Sequence, residues 1–196
     1  MNFTRCQPPR KRATIKGAIL WIAFFGLLFK AHPVSGAELS MPEYQVKALF
    51  LLNFTKYVDW PPASFATANS PIIIGLCGED RFGDALNKAV AGKTISGRPI
   101  RIQPVGKDSA TEKCQILFIG DSDKKRVSEI LGRIKALPVL TVGEVDQFLE
   151  QGGVINFVKK EEKIRLEINL DAARQAGLQI SSKLLNVADV VKGKLK

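Results

Sequence analysis

The hydrophobic positions along the chain form two kinds of pattern. Continuous apolar runs at Pro71–Cys77 and Gln115–Gly120 are typical of strands that are buried on both faces of a sheet. Apolar residues at three- and four-residue spacing predict helices over Pro42–Val58, Asp80–Val90 and Asp123–Lys135. Because strands and helices alternate, the pattern indicates a mostly parallel sheet flanked by helices.

The C-terminal part of the chain changes to an antiparallel pattern. The stretches Val154–Val158 and Lys163–Leu170 predict the two strands of a hairpin, joined by the charged turn Lys159–Glu162. The other predicted elements are strands at Pro99–Val105 and Val139–Val142, and helices at Gly143–Glu150, at Ala172–Ala176 with Asp171 as N-cap and Gly177 after its end, and at Ser182–Lys192. The expected fold class is therefore α/β: a single compact domain with a mostly parallel sheet, flanking helices and a C-terminal antiparallel hairpin.

The first 37 residues have the three parts of a secretory signal peptide. A basic start is followed by thirteen uncharged residues, Gly17–Phe29, and by the small-residue cleavage site Ser35-Gly36-Ala37. A helix of that length, at ~1.5 Å per residue, reaches about 20 Å, whereas a membrane-spanning helix must cross a core of ~30 Å. A cleaved signal is therefore favoured over an uncleaved anchor, and we expect a periplasmic domain over Glu38–Lys196.

The net charge does not indicate a nucleic-acid-binding protein. The formal charge is +10, but residues 1–37 contain six of the 29 Lys and Arg residues and none of the 19 Asp and Glu residues. The rest of the chain carries only +4. A domain that binds nucleic acid is usually much more basic than this.

Catalysis by histidine is excluded in the mature chain, because the only histidine, His32, lies in the predicted signal peptide. The motif Gly92-Lys93-Thr94 lacks the earlier glycine of a phosphate-binding P-loop, and Asn87 stands in that place. The motif Ser181-Ser182-Lys183 lacks the Ser-x-x-Lys spacing that brings the two side chains together on a helix. We predict no cofactor, no metal and no enzyme activity, although a hydrolase that uses two carboxylates far apart in sequence stays open.

Two cysteines, Cys77 and Cys114, remain after export, and an oxidising compartment allows them to form a disulfide. Cys77 ends one predicted strand and Cys114 begins another. Parallel pairing would separate them by roughly 16 Å along the strands, at ~3.3 Å per residue, whereas a disulfide needs Cα atoms within about 7 Å. A bridge and two buried thiols both stay open, and the geometry favours the thiols.

The candidate partner-binding residues are Arg165, Glu167, Asn169, Leu178, Ile180 and Leu184. The first three alternate with apolar residues on the second hairpin strand, so they form a polar row that either binds a partner or makes an outer hydrogen-bonded face. The other three lie in and beside a short connection between predicted helices. A few apolar anchors hold most interfaces together, but packing in the core would give the same pattern.

Several segments of the chain resemble those of YfiR-like periplasmic proteins. They are Tyr44-Gln-Val-Lys-Ala-Leu-Phe50 and its continuation to Trp60-Pro61, Cys114–Gly120, Leu140–Val142, Gly152–Phe157, Arg165–Leu170, Ala172-Ala173, Ala176–Leu178 and Ile180–Leu185. Their order and spacing fit over nearly all of Tyr44–Ala188.

The resemblance implies a regulatory role and no enzyme activity. The best-understood member of this family is a periplasmic repressor that restrains an inner-membrane diguanylate cyclase through the periplasmic sensor domain of that enzyme. It thereby controls cyclic-di-GMP signalling and biofilm formation. An OmpA-like outer-membrane lipoprotein can sequester it. The resemblance also implies a compact α/β fold that is often a homodimer.

The alternative function is that of a small-ligand-binding or sensor protein of another signalling system. A parallel sheet offers a crevice at the carboxyl ends of its strands. The predicted loop Gly78–Arg81 would line that crevice. The sequence therefore leaves two classes of function open, a protein-binding regulator and a ligand-binding sensor.

Overall fold

A computed structural model of the chain describes residues 42–106 and 113–192. The predicted signal peptide and its cleavage site lie outside these residues. In the described part of the chain, a long leading helix is followed by a mixed sheet with helices on both of its faces.

The described residues form five α-helices. Their bounds are α1 Glu43–Tyr57, α2 Asp84–Val90, α3 Val127–Ile134, α4 Leu170–Gln175 and α5 Ser182–Leu185. Helix α1 confirms the prediction from apolar spacing. Its buried residues include Ala48, Leu51, Leu52 and Phe54. It ends before Trp60-Pro61-Pro62, because a proline disfavours helix in the residue before it.

The described residues also form ten strands. Their bounds are β1 Val58–Asp59, β2 Ile72–Cys77, β3 Thr94–Ile95, β4 Arg98–Val105, β5 Ile116–Ile119, β6 Leu140–Gly143, β7 Ile155–Lys160, β8 Lys163–Asn169, β9 Gln179–Ile180 and β10 Val190–Lys192. Eight of them form one sheet in the order β10-β8-β7-β6-β5-β2-β4-β3, and β1 pairs with β9 in a separate small sheet.

The large sheet is mostly parallel, as the sequence predicts. Strands β4, β2, β5, β6 and β7 pair in parallel in that order, and β7 pairs antiparallel with β8. The hairpin between β7 and β8 turns through Glu161 and Glu162, which both have positive φ, as a tight two-residue turn requires. The α/β fold class and the antiparallel hairpin are therefore confirmed.

Side chains of the central strands alternate between two apolar cores. The first core lies under α1 and α2 and includes Ile74, Phe118 and Phe157. The second core lies under α3 and includes Leu117 and Ile119. The first turn of α1, which covers the first core, lies beside one end of the sheet. The candidate site is at that end.

The predicted final helix is wrong over most of its length. Helix α5 ends at Leu185, and residues 190–192 form the strand β10, which pairs in parallel with β8. The backbone N–H of Asp189 donates to the carbonyl of Leu166 at 2.9 Å and so returns the chain to β8. An open edge of β8 would leave backbone groups unpaired, and β10 satisfies them.

The segment Gly143–Glu150 is also not the predicted helix, because Gly143 is the last residue of β6 and turns follow it, in which Gln147 has a φ of 57°. Two of its backbone carbonyls accept hydrogen bonds from side chains of the sheet and not from N–H groups of a following helical turn. Val145 O accepts from Asn156 at 3.0 Å, and Leu149 O accepts from Asn169 at 3.1 Å. Tertiary hydrogen bonds therefore outweigh the helical pattern here.

Helix α4 begins with a different cap from the one that the sequence predicts. The N-cap is Asn169, whose Oδ1 accepts from the N–H of Ala172 at 3.1 Å, whereas Asp171 pairs with Arg174 at 2.8 Å. The predicted glycine after the helix is confirmed, because Gly177 has a φ of 68° and its N–H donates to the carbonyl of Arg174.

Helices α2 and α3 begin a few residues later than predicted. Asp80 does not start α2, because its Oδ1 accepts from the N–H groups of Phe82 and Gly83 and forms a turn before the helix. A 3-10 helix at Asp121–Arg126 precedes α3. Both turns follow the carboxyl end of a strand, and both contribute to the candidate site.

Candidate functional site

The candidate site lies where three parallel strands end. The last residues of β2, β5 and β6 lie in register, and these residues are Cys77, Ile119 and Gly143. The chain leaves β2 through α2 towards one side of the sheet and leaves β5 through α3 towards the other. In parallel α/β sheets, ligands usually bind in the crevice at such a point.

The loops that follow β2 and β5 are tied together. The N–H of Glu79 donates to Ser122 Oγ at 2.9 Å, and the N–H of Gly120 donates to the carbonyl of Cys77 at 3.2 Å. Gly78 has a φ of 93°, and a Cβ there would lie 2.4 Å from Ser122 Oγ. Only glycine therefore fits at this position.

Helix α1 fills the crevice with a buried lysine. Lys47 Nζ donates to Glu144 Oε2 at 2.6 Å and to Glu43 Oε1 at 2.5 Å. The side chains of Lys47 and Glu144 are each only 5% exposed. The ammonium also lies 4.6 Å from the ring centroid of Tyr44 and 5.9 Å from that of Phe157, so aromatic faces cover its remaining sides.

The Glu144 carboxylate is satisfied by three donors. Besides Lys47, it accepts from Tyr44 OH at 2.8 and 3.0 Å and from the N–H of Asp121 at 3.3 Å. Burial, together with the hydrogen bond to Glu144, raises the pKa of Tyr44 well above its ordinary value. The hydrogen bond from Lys47 lowers the pKa of Glu43. At neutral pH the raised pKa keeps Tyr44 neutral, and the lowered pKa keeps Glu43 ionised.

The strand ends do not form the open crevice that the sequence predicts. A buried ion pair stabilises a fold little in total, but it is costly to break, because the remaining charge is left without a partner. The side chains of Lys47 and Tyr44 occupy the crevice, and a cavity of only about 170 Å³ remains at its mouth. A second and larger cavity, of about 750 Å³, lies between the start of α1 and α2.

Arg81, which the sequence places in the loop that lines the crevice, borders both cavities. Its guanidinium carbon lies 4.9 Å from the ring centroid of Tyr44. The Tyr44 ring in turn packs edge-on against Phe82, with centroids 5.2 Å apart. The loop after β2 is thereby fixed against the first turn of α1.

The predicted polar row of β8 exists, but its three members differ. Arg165 is 41% exposed and pairs with Asp189 at 3.6 Å, and Glu167 is 25% exposed and lies 3.5 Å from Lys160. The side chain of Asn169 is used inside the chain, because it caps α4 and donates to the carbonyl of Leu149. All three residues are partly exposed, but only Arg165 and Glu167 are held by loose surface ion pairs, whereas the polar atoms of Asn169 are already hydrogen-bonded within the chain.

The structure places the apolar members of the predicted partner site in or against the first core. Leu178 and Leu184 are 3% and 2% exposed and belong to the first core, so neither offers a surface to a partner. Ile180 is half-buried and packs against the same core. Arg165 and Glu167 point to the opposite face of the sheet, so the six residues do not form one surface.

Cys77 and Cys114 are both buried thiols in the second core. Cys77 ends β2 in register with the last residue of β5, whereas Cys114 lies before β5 begins, so the two cysteines stand at opposite ends of the sheet. Burial raises the pKa of Cys77 to about 11. A thiol with so high a pKa reacts slowly at neutral pH.

Sequence reasoning about chemistry missed Lys47 and Glu144. They are 97 residues apart, and each has an unremarkable local pattern. The available signal was a lysine on the buried side of a helix that is apolar around much of its circumference, and an acid directly after a buried strand. Either position is unusual for a charged residue unless it has a partner.

Among the described residues, no group of His, Cys, Asp and Glu is arranged to hold a metal ion. None of the helices in residues 42–106 and 113–192 combines the length and the apolar character that a membrane span requires.

Comparisons with known proteins add two findings. The model of the YfiR/HmsC-like family matches residues 44–189. A solved structure, described as a conserved domain protein from Vibrio cholerae O1 biovar El Tor, is 17% identical, with a TM-score of 0.46 over 62% of this chain. The chain spans about half of that protein, 55% of its length. No curated protein matches the chain.

Proposed function

The chain belongs to the YfiR/HmsC-like family, and from this premise we propose that it is a periplasmic repressor of an inner-membrane diguanylate cyclase. The family supports a regulatory role in cyclic-di-GMP signalling. In this proposal the protein binds the periplasmic sensor domain of the cyclase and performs no catalysis itself. An OmpA-like outer-membrane lipoprotein would release the cyclase by sequestering the repressor.

The observation that carries the proposal is the extent of the family match, which covers residues 44–189 and so almost all of the described fold. The filled crevice is consistent with it. Where a ligand would usually bind in such a sheet, this chain places the ion pair of Lys47 and Glu144. Binding of a partner protein at the surface then explains the function better than binding of a ligand at the strand ends.

The surface proposed for the cyclase is centred on the exposed part of the polar row. Lys160 and Asp189 lie beside Arg165 and Glu167, with nitrogen–oxygen distances of 3.5 to 4.0 Å. These are exposed or half-exposed pairs that contribute little to folding stability. These side chains can therefore leave their present ion pairs and bind charges on another protein with little loss of folding stability. Charge complementarity would then select that protein.

Export is part of the proposal, because the cyclase would be contacted from the periplasm. Cleavage after Ala37 would leave Glu38 as the mature N-terminus. An intact-mass measurement on protein from the periplasmic fraction tests this. A mass that still includes residues 1–37, with the protein in the membrane fraction, would contradict it.

The function itself is tested in a deletion strain. Loss of the gene should raise intracellular cyclic-di-GMP and biofilm formation, and the full chain should restore both. A chain that lacks residues 1–37 should not restore them, because it stays in the cytoplasm. Unchanged cyclic-di-GMP in the deletion strain would reject the proposal.

A further inference from the structure

The cavity between the start of α1 and α2 has the size of a small-molecule site. Its volume of about 750 Å³ falls within the range of roughly 300–1,000 Å³ that is usual for ligand pockets. Its walls are the start of α1 and one side of α2, and apolar side chains from Pro42, Leu49, Phe82, Ala85 and Ala89 line it. Leu49 is 42% exposed, which is high for a leucine of a buried helix.

The charged side chains that line this cavity balance, since Glu43 and Asp84 stand against Arg81 and Lys88. Glu43 is paired with Lys47 at 2.5 Å, and Asp84 lies 3.7 Å from Lys88. Arg81 is exposed and forms no ion pair with a carboxylate of the described residues. The cavity therefore combines an apolar wall with one exposed guanidinium that has no carboxylate of the described residues within ion-pair distance, although its charge also acts on Glu43.

The geometry of Arg81 suits an anionic group. Its guanidinium carbon lies over the Tyr44 ring, 4.9 Å from the ring centroid, which is a cation–π distance that holds the side chain at the cavity. A guanidinium presents two parallel donors to a carboxylate, a pairing that is both stronger and more specific than a neutral hydrogen bond.

We infer that this cavity binds a small amphiphilic carboxylate, with its apolar body against α1 and α2 and its carboxylate on Arg81. The site is separate from the polar row of β8. The inference therefore does not depend on the cyclase being the partner, and a failed binding test would leave the proposed function standing.

The cavity is tested with three probes that share one aryl body. They are 3-phenylpropionate, 3-phenylpropanol and 3-phenylpropylamine, and their binding to the purified mature protein is measured by isothermal titration calorimetry. The acid should bind about tenfold more tightly than the alcohol, because it gains a charged bidentate hydrogen bond. The amine should bind most weakly.

Three variants locate the site. Arg81→Gln should reduce the affinity for the acid to that for the alcohol, and the matched exposed arginine change Arg101→Gln should leave the preference intact. Ala85→Leu fills the cavity and should abolish binding of all three probes, with a melting temperature that shows the protein is folded.

The inference is overturned by any of three results. No binding of the acid at millimolar concentration would show that the cavity takes no such ligand. Equal affinity for the three probes, or tighter binding of the amine, would show that Arg81 does not select an anion. A preference for the acid that survives Arg81→Gln would place the binding elsewhere.

Discussion

The Lys47 ammonium lies 2.6 Å from the Glu144 carboxylate, and this ion pair joins the added N-terminal helix to the end of a central strand. Both side chains are almost wholly buried. The pair lies in the crevice at which parallel α/β sheets usually bind ligands. It therefore holds α1 against the strand ends and leaves a cavity of only about 170 Å³ there.

Removal of one member of this pair should destabilise the protein strongly. Glu144→Ala leaves the buried Lys47 with Glu43 alone, and the free energy of unfolding should fall by about 3–5 kcal/mol in chemical denaturation. Lys88→Ala breaks an exposed pair with Asp84 and is the control. It should have little effect, because exposed ion pairs contribute little.

The double variant Lys47→Met, Glu144→Leu separates the two explanations of that loss. If the cost comes from an unpaired buried charge, the apolar pair should recover much of the stability. If the double variant is as unstable as Glu144→Ala, the hydrogen bonds from Tyr44 and Asp121 hold the site instead, and the ion-pair explanation is wrong.

The raised pKa of Tyr44 should make the fold sensitive to alkaline pH. In the unfolded chain the phenol ionises near its ordinary pKa of about 10, whereas burial and Glu144 keep it neutral in the folded protein. The contribution to stability is thus complete below about pH 10 and is lost as the pH rises further. Tyr44→Phe should remove this part of the alkaline loss.

Spectroscopic titration tests the same group directly. The chain has two tyrosines, so Tyr57→Phe leaves Tyr44 as the only phenol. Its phenolate absorbance should appear only as the protein unfolds. A phenolate signal with a midpoint near the ordinary tyrosine value in still-folded protein would show that Tyr44 is not held by Glu144.

Neither cysteine should be needed for folding. Cys77→Ser, Cys114→Ser should fold, at a cost of about 1–3 kcal/mol from hydroxyl groups in apolar surroundings. Because burial raises the pKa of Cys77, a thiol reagent should label it only when the protein opens. A wild-type melting temperature that falls in reductant would instead reveal a disulfide.

Much of the fold can be predicted from the sequence, because apolar runs such as Gln115–Gly120 have few alternatives to a buried strand. The C-terminal strand β10 could not be predicted in this way. Its valines continue the helical spacing that begins at Leu184, and only the open edge of β8 makes an extended conformation preferable. The segment Gly143–Glu150 also differs from the predicted helix because of tertiary contacts, namely the hydrogen bonds from Asn156 and Asn169 to its carbonyls.

Less of the candidate site could be predicted from the sequence. The polar row of β8 follows from simple alternation, but Leu178 and Leu184 have the same pattern whether they pack in a core or meet a partner. The pairing of Lys47 with Glu144 depends on how α1 crosses the sheet, and no local pattern encodes that crossing.

The central claim is that this protein represses a membrane cyclase through a protein surface, and Glu167→Lys tests it most directly. Cyclic-di-GMP is measured in the deletion strain that produces this variant or the control Glu129→Lys, which makes the same charge change on α3. Glu167→Lys should melt near the wild-type temperature yet leave cyclic-di-GMP as high as the deletion does, whereas the control should repress normally. A folded Glu167→Lys protein that represses like the wild type would contradict the claim for this surface.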